Sequence, residues 1–327
     1  MRGYMGEEVV SDIERRFPIA FSILLYRDVE QAERLLRALY RPNNIYCFHV
    51  DLSADPVLHK AVESIVKCFH NVFISSKLED VVYSSMSRLQ ADLNCMADLL
   101  QSNVPWKYFI NSPSQQFPLK TNLELVKILT VYNGSNDIEG ITQPFRMLKN
   151  RIAYKYVVKN GSMMLTGEKM GKPPHNITVV KGSAYGAFSR QFVNFTLHNQ
   201  MSRDLLTYLK DVNSPDEYYW STLNHDRMIA APGGYTGVPD NKPFLATYAN
   251  WGLGCHGKYV RGVCIYGLGD LPELVSRHEL FANKFYRDYQ PVALRCLEEW
   301  HFNKTFSFLP YELYYYRHLP FINGYFY

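Results

Sequence analysis

Two strand-like apolar runs separated by a helix-like segment constrain the fold more than any other feature of this sequence. The runs are residues 19–26 and Ile45–Val50, both rich in β-branched and aromatic side chains. Between them, apolar residues recur at steps of three and four, at Val29, Ala32, Leu36 and Leu39. Asp28 followed by Gln31 predicts a capping box at the start of a helix, and Pro42 predicts its end. The segment therefore predicts a strand, a helix and a second strand.

The same alternation continues along the chain. A short strand is predicted over 71–75, a helix over 87–100 and a strand over 106–111. About the first 125 residues thus predict a doubly wound α/β unit, whose ligands bind beyond the carboxyl ends of the strands. Asp51 directly follows the second run, so it is either a ligand-binding residue at such an end or a turn residue that caps the loop 51–55.

Composition and missing motifs exclude several function classes. The chain has 327 residues, 47% of them hydrophobic, and a formal net charge of +4, which is typical of a globular protein and too even for a nucleic-acid arm. Its longest apolar stretch, residues 17–26, is about half of the ~20 residues that a membrane span needs. The sequence lacks a P-loop pattern, and its one G-x-G-x-x-G match, Gly252 to Gly257, lies outside the predicted strand-helix-strand unit. Both observations argue against P-loop kinases and dinucleotide dehydrogenases. The sequence also lacks D-x-D, so cationic side chains must hold any bound phosphate.

Cysteines and glycosylation sequons bear on the cellular compartment. Asn-x-Ser/Thr sequons begin at Asn133, Asn160, Asn176, Asn194 and Asn303. The cysteines are Cys47, Cys68, Cys95, Cys255, Cys264 and Cys296, without the spacing of a zinc site. In an oxidising compartment they are disulfide candidates, whereas in a cytosolic enzyme they would be buried thiols.

The remainder of the chain is less regular. Residues 133–182 predict connecting loops with short strands, followed by helices over 191–198 and 201–209. Ser214, Pro215 and Glu217 fit a helix start with Ser at the N-cap, Pro at the first position and a capping-box Glu. A further helix is predicted to end near His278.

Several short blocks, in order, resemble the core 2 and I-branching β-1,6-N-acetylglucosaminyltransferases. The blocks are Phe17-Pro-Ile-Ala-Phe-Ser-Ile23, Tyr46-Cys-Phe-His-Val-Asp51, Val81-Val-Tyr83, Gln90-Ala-Asp-Leu-Asn-Cys95, Phe117-Pro-Leu-Lys-Thr-Asn122, Gly182-Ser-Ala-Tyr185, Ser214-Pro-Asp-Glu217, Val260-Arg-Gly-Val-Cys-Ile265 and Phe281-Ala-Asn-Lys284. Together they span about residues 17 to 300, and the agreement of many blocks makes the resemblance specific. The protein xylosyltransferases share part of the pattern.

The resemblance implies an α/β, GT-A-like, Rossmann-type fold and inverting transfer of GlcNAc from UDP-GlcNAc to the 6-hydroxyl of GalNAc or Gal in mucin-type O-glycans. It implies a Golgi lumenal enzyme with a type II membrane anchor, which these residues lack, and transfer without a metal or other cofactor. Alternatives are a xylosyltransferase-like enzyme, a catalytically silent glycan-binding relative, and a cytosolic nucleotide-binding α/β protein with reduced cysteines. No nucleic-acid partner is predicted.

The resemblance also implies roles for particular residues. Glu217 is the predicted general base, and Arg261 and Lys284 are predicted to hold the pyrophosphate. Uridine would be contacted by Asp51, Tyr26 and Tyr83. The acceptor residues implied are Glu139, Arg146, Arg151, Tyr248 and Trp251.

Disulfides and domain limits follow from the same resemblance. It pairs Cys47 with Cys95 and Cys255 with Cys264, and leaves Cys68 and Cys296 without partners in this chain. Residues 1–16 are predicted to be a stem remnant and 17–300 one catalytic domain, with a UDP-binding half over 17–125 and an acceptor and pyrophosphate half over 126–300. The aromatic-rich residues 301–327 form a tail to which no function is assigned.

Overall fold

Parallel strands form the centre of the protein. The computed structural model describes residues 3–143, 147, 149–307 and 311–322. The strands are β1 (Ile19–Leu25), β2 (Ile45–Val50), β3 (Val72–Ile74), β4 (Tyr108–Pro113), β5 (Gln116–Pro118), β6 (Asp137–Ile138), β7 (Tyr154–Lys159), β8 (Ser162–Lys169), β9 (Gly186–Ser189), β10 (Thr247–Tyr248), β11 (Lys258–Val260), β12 (Val263–Ile265) and β13 (Phe281–Asn283). The α-helices are α1 (Asp12–Arg15), α2 (Val29–Leu39), α3 (Pro56–Val66), α4 (Met86–Gln101), α5 (Asn122–Tyr132), α6 (Asn150–Ala153), α7 (Arg190–His198), α8 (Gln200–Leu209), α9 (Asp216–His225), α10 (Leu271–Ser276), α11 (Pro291–Thr305) and α12 (Tyr314–Arg317).

The largest sheet within these residues has six strands in the order β3-β2-β1-β4-β9-β6. The first four strands run parallel, whereas β9 pairs antiparallel with both β4 and β6. The order 3-2-1-4 is that of a doubly wound nucleotide-binding sheet. The predicted α/β, Rossmann-type fold class is therefore confirmed, and strands from both sides of residue 125 build the one sheet.

Strand alternation divides the core between the two faces of the sheet. Phe21 and Ile23 of β1 belong to the cluster formed with α2 and α5, whereas Ala20 belongs to the cluster formed with α4, α7 and α9. Because every residue of β1 and β2 is buried, both faces of these strands are covered. This burial explains why both runs are continuously apolar instead of alternating.

Several helices, among them α3, α5 and α11, and a long hairpin were not predicted from the sequence. α3 and α5 fill stretches for which no element was predicted, and β7 pairs antiparallel with β8 inside the stretch interpreted as loops with short strands. The hairpin turns at Asn160 and Gly161, whose φ angles are 51° and 70°. Asn-Gly is the residue pair that a type I′ hairpin turn favours.

The described part of the C-terminal tail packs against the body of the protein. Tyr316 and Phe321 are buried in the same cluster as α5, and the Phe321 ring centroid lies 5.2 Å from that of Tyr132. The Tyr316 hydroxyl donates to the carbonyl of His278 at 2.6 Å. This segment therefore has a structural role, which its sequence did not indicate.

The cysteines are arranged as the resemblance implies. Cys47 of β2 is bonded to Cys95 of α4, and Cys255 is bonded to Cys264 of β12. Cys68 and Cys296 are exposed free thiols.

Candidate active site

A cleft of about 580 Å³ lies beyond the carboxyl ends of β1, β2 and β4. Doubly wound sheets bind ligands at this edge, where connections from neighbouring strands leave in opposite directions. Eight of the predicted site residues line the cleft: Tyr26, Asp51, Tyr83, Glu139, Glu217, Trp251, Arg261 and Lys284. The fold thus brings together residues that are separated by more than two hundred positions in the sequence.

Asp51 forms the turn that the sequence offered as one alternative, and it also lies at the cleft, where the ligand-binding alternative placed it. Its Oδ1 accepts hydrogen bonds from the backbone N–H of Ser53 at 2.9 Å and from the Ser53 hydroxyl at 2.7 Å, as in an Asx turn. Asp51 is also part of the cleft wall and is buried. The turn fixes the carboxylate beside the end of β1, where Tyr26 is half exposed.

Arg261 lies at the tip of a β-hairpin. Val260 pairs with Val263 across β11 and β12, so Arg261 and Gly262 form the turn, with φ angles of 52° and 82°. Arginine seldom adopts a positive φ, and the Cys255–Cys264 disulfide ties the chain on either side of this turn. The guanidinium carbon lies 4.6 Å from the centroid of the Tyr83 ring, a cation–π contact at the rim of the cleft.

Lys284 follows β13 and lines the cleft, as Arg261 does. Burial lowers the pKa of this lysine, Tyr26 opposes the shift, and the nearby guanidinium groups of Arg27 and Arg261 add to it. Among the described residues, no carboxylate pairs with Lys284 or Arg261. Positive charge is therefore concentrated at one side of the cleft, where none of the described carboxylates forms an ion pair with it.

The predicted capping box at Ser214 does not form. Ser214 has φ 57°, whereas an N-cap residue needs an extended backbone, and its hydroxyl donates to Asn213 Oδ1 at 3.0 Å. The Glu217 carboxylate instead accepts a hydrogen bond from Arg151 Nη1 at 2.9 Å. Its Oε2 also lies 3.1 Å from Lys181 Nζ. The Glu217 side chain therefore does not cap α9, and the residue lines the cleft.

Gly182 allows the segment before β9 to approach Glu139 and α9 closely. Its N–H donates to the carbonyl of Glu217 at 2.6 Å. A Cβ atom here would lie 2.0 Å from Ser221 Oγ and 2.2 Å from the carbonyl oxygen of Glu139. Only a residue without a side chain fits at this position.

We expect Gly182→Ala to lower the free energy of unfolding by about 1–3 kcal/mol, the usual cost of overpacking. Gly171→Ala is the matched control, because a Cβ at Gly171 meets nothing within 4 Å. Urea unfolding of both variants measures the difference. Equal midpoints for Gly182→Ala and the parent would contradict the close packing.

Lys181 contacts the carboxylate of Glu217, the residue that the resemblance implies as general base. If Glu217 has that role and UDP is the bound nucleotide, we expect Lys181→Met to lower kcat by about tenfold or more, since charge-assisted contacts contribute about 1.5–3 kcal/mol, and to leave the Kd for UDP unchanged. Lys181→Arg should recover most of the loss. In a Glu217→Gln background, Lys181→Met should have little further effect, because the two residues would act through one interaction. Independent, additive losses in the double variant would contradict this role.

The predicted acceptor residues other than Glu139 do not all line the cleft. Arg151 reaches the site through its hydrogen bond to Glu217, and Trp251 is exposed at the cleft rim. Tyr248 is not among the lining residues; its hydroxyl donates to Glu273 at 2.8 Å, and Arg277 lies over its ring at 3.6 Å. Arg146 lies outside the described residues.

Comparison with known proteins identifies the family of this chain. A family model described as Core-2/I-Branching enzyme matches residues 19–275. The chain belongs to the core-2/I-branching enzyme family. It is 40% identical over 321 residues to a human N-acetyllactosaminide β-1,6-N-acetylglucosaminyl-transferase, covering 94% of this chain and 78% of the relative. It is 42% identical over 307 residues to human β-1,3-galactosyl-O-glycosyl-glycoprotein β-1,6-N-acetylglucosaminyltransferase 3, covering 89% of this chain and 69% of that protein.

Membership of the core-2/I-branching family confirms the predicted enzyme class, a glycosyltransferase that uses a nucleotide-sugar donor and a glycan acceptor. Within the described residues, no helix has the length and apolar character needed to cross a bilayer.

The cleft wall contains a second charged cluster that was not predicted from the sequence. Arg88 and Asp216 both line the cleft, and Arg88 Nη1 donates to Asp92 Oδ2 at 2.6 Å. Burial raises the pKa of Asp216 to about 6, although Arg88 opposes the rise. The i,i+4 spacing of Arg88 and Asp92 on a helix was a usable signal for their contact. No sequence signal indicated that Asp216 would join them.

Proposed function

We propose that this protein transfers GlcNAc from UDP-GlcNAc to the 6-hydroxyl of a GalNAc or Gal residue in O-glycans, with inversion. The observation that carries the proposal is the arrangement in one cleft of Glu217, Arg261 and Lys284, the last two being cations that form no ion pair with any carboxylate in the described part of the chain. The names of the relatives support the choice of sugar and linkage.

In this mechanism Glu217 takes the proton of the acceptor 6-hydroxyl while the hydroxyl oxygen attacks C1 of GlcNAc. The bond between C1 and the β-phosphate oxygen breaks on the opposite face, which inverts the anomeric centre. Arg261 and Lys284 stabilise the negative charge that develops on UDP, a form of electrostatic catalysis. Asp51, Tyr26 and Tyr83 contact uridine, and Glu139, Arg151 and Trp251 contact the acceptor.

We infer further that a divalent ion is not needed. Among the described residues, one cluster has metal-ligand geometry, Cys255, Cys264 and Asp270, and its cysteines form a disulfide. The absence of D-x-D and the two cations beside the cleft support the same inference. The disulfides and sequons support a Golgi lumenal location.

A transfer assay with UDP-GlcNAc tests the function. Core 1 and N-acetyllactosamine acceptors are incubated with the enzyme in parallel, with UDP-xylose as the alternative donor and EDTA as the metal test. We expect a β-1,6-linked GlcNAc product and a rate unchanged by EDTA. Xylose transfer would favour the xylosyltransferase alternative, and UDP binding without transfer would favour a silent glycan-binding relative. Loss of activity with EDTA, restored by Mn²⁺, would contradict the metal-free mechanism.

A further inference from the structure

Two of the five sequons line a second concavity, far from the cleft. This surface groove has a volume of about 1510 Å³ and is lined by Asn133, Asn194, Phe17, Lys107 and Arg190, among others. Phe17 precedes β1 and Lys107 precedes β4, whereas the cleft lies beyond the opposite ends of these parallel strands. A seven-residue strand at about 3.3 Å per residue separates the two sites by roughly 20 Å.

Both asparagines are available for modification. Asn133 ends α5 in a left-handed conformation with φ 45°, Asn194 lies in α7, and both are exposed. Within the described residues, neither side-chain amide forms a hydrogen bond with the protein. A group attached to either amide would therefore extend from the groove wall without breaking a native contact.

The groove has the mixed character that sugars require. Phe17 and Phe195 present partly exposed apolar surface, and Lys107 and Gln191 present exposed donors and acceptors. Arg190 lies over the Trp106 ring, with its guanidinium carbon 4.7 Å from the centroid, and donates to the Val104 carbonyl at 3.0 Å. Pyranose rings have apolar faces and hydroxyl rims, so surfaces of this kind can bind both.

We propose that Asn133 and Asn194 are N-glycosylated and that their first sugars lie in this groove. The attachment uses a lipid-diphosphate oligosaccharide and the host transferase. The Asn Nδ2 atom attacks C1 of the reducing-end sugar, the bond from C1 to the diphosphate breaks, the lipid diphosphate leaves with the electron pair, and the transferase accepts the amide proton. The proposal rests on the lumenal location given under Proposed function. It predicts a carbohydrate that covers the end of the sheet opposite the active site.

Asn160 supplies an internal comparison. It lies at the exposed turn of the β7–β8 hairpin, whose strands carry exposed Val157, Val158, Met164 and Leu165. It is not among the residues that line the groove. A glycan on this turn should project into solvent, so its release measures ordinary accessibility.

The test uses full-length protein secreted from a eukaryotic host. Glycopeptide mass mapping gives the occupancy of each sequon, and variants Asn133→Gln, Asn194→Gln and Asn160→Gln assign the signals. Peptide N-glycosidase F is then applied to folded and to unfolded protein. At Asn133 and Asn194 we expect release from the folded protein to be about tenfold slower than from the unfolded protein, which corresponds to about 1.4 kcal/mol of protection. At Asn160 we expect little difference.

Three results would overturn the proposal. Glycans at Asn160, Asn176 or Asn303 without glycans at Asn133 and Asn194 would refute the modification while leaving the location intact. Equal release from folded and unfolded protein at both groove sites would refute docking in the groove. A protein without any N-glycan would refute both the proposal and the lumenal location. The transfer assay is independent of all three, so the proposed activity is judged separately.

Discussion

Replacing Glu217 by Gln is expected to lower kcat by about a hundredfold or more, the loss typical of removing a general base. Gln has nearly the same shape and can still accept a hydrogen bond from Arg151, which lies 2.9 Å from Glu217 Oε2. It cannot take a proton from the acceptor hydroxyl. Because the cations proposed to hold UDP are unchanged, the Kd for UDP should also be unchanged. Steady-state kinetics and calorimetry measure these two quantities.

Glu168→Gln is the matched control for this substitution. Glu168 forms an ion pair with Lys155 on the exposed hairpin, outside the cleft lining, so its replacement should not change kcat. The capping-box alternative for Glu217 predicted little effect of Gln on either rate or stability. A Glu217→Gln variant that folds, binds UDP and transfers GlcNAc within about tenfold of the parent would remove Glu217 from the mechanism.

Removing either of the two cations proposed to hold the pyrophosphate, Arg261 and Lys284, is expected to weaken UDP binding and to lower kcat. For Lys284→Met and Arg261→Gln we expect the Kd for UDP to rise roughly tenfold to a hundredfold, since a hydrogen bond to a charged group contributes about 1.5–3 kcal/mol. The same contacts stabilise the leaving group, so the chemical step should slow as well. Calorimetry with UDP and with uridine separates the diphosphate from the base. Uridine affinity should change little in Lys284→Met.

Lys258→Met is the control for these variants. Lys258 lies on the same hairpin as Arg261, with its Nζ 4.3 Å from the centroid of the Tyr289 ring, but it does not line the cleft. This variant also loses one positive charge near an aromatic ring, yet it should bind UDP normally. Unaltered UDP affinity in both Lys284→Met and Arg261→Gln would show that the pyrophosphate is held elsewhere.

The central sheet could be predicted because the strand propensity of its residues and their burial in the core favour the same structure. The Ile45–Val50 run is the strand β2 without change of bounds, since its apolar side chains face core on both sides. α5 was not predicted, although Thr121 and Glu124 form a capping box at its start and carry the sequence signal of one. The β7–β8 hairpin was missed because its side chains are largely exposed and carry no period-two pattern.

The site could be predicted only in part. Family resemblance supplied Glu217, Arg261 and Lys284, but the local pattern around Glu217 predicted a cap that the backbone at Ser214 does not allow. Lys181 reaches Glu217 from a segment 36 residues earlier in the chain, and Arg151 from 66 residues earlier. Such contacts depend on tertiary packing, and neither propensity nor periodicity encodes them.

The burial of the C-terminal tail bears on the order in which a newly made chain can mature. Cys47 and Cys95 are 48 residues apart and meet between β2 and α4, so their disulfide can close as soon as α4 has been synthesised. Tyr132, in contrast, is covered by Phe321, which is synthesised much later than α4. A chain still in synthesis therefore exposes part of its main core until Phe321 has emerged. The disulfide can thus precede closure of this part of the core, and removal of residues 311–322 would leave an oxidised but open intermediate.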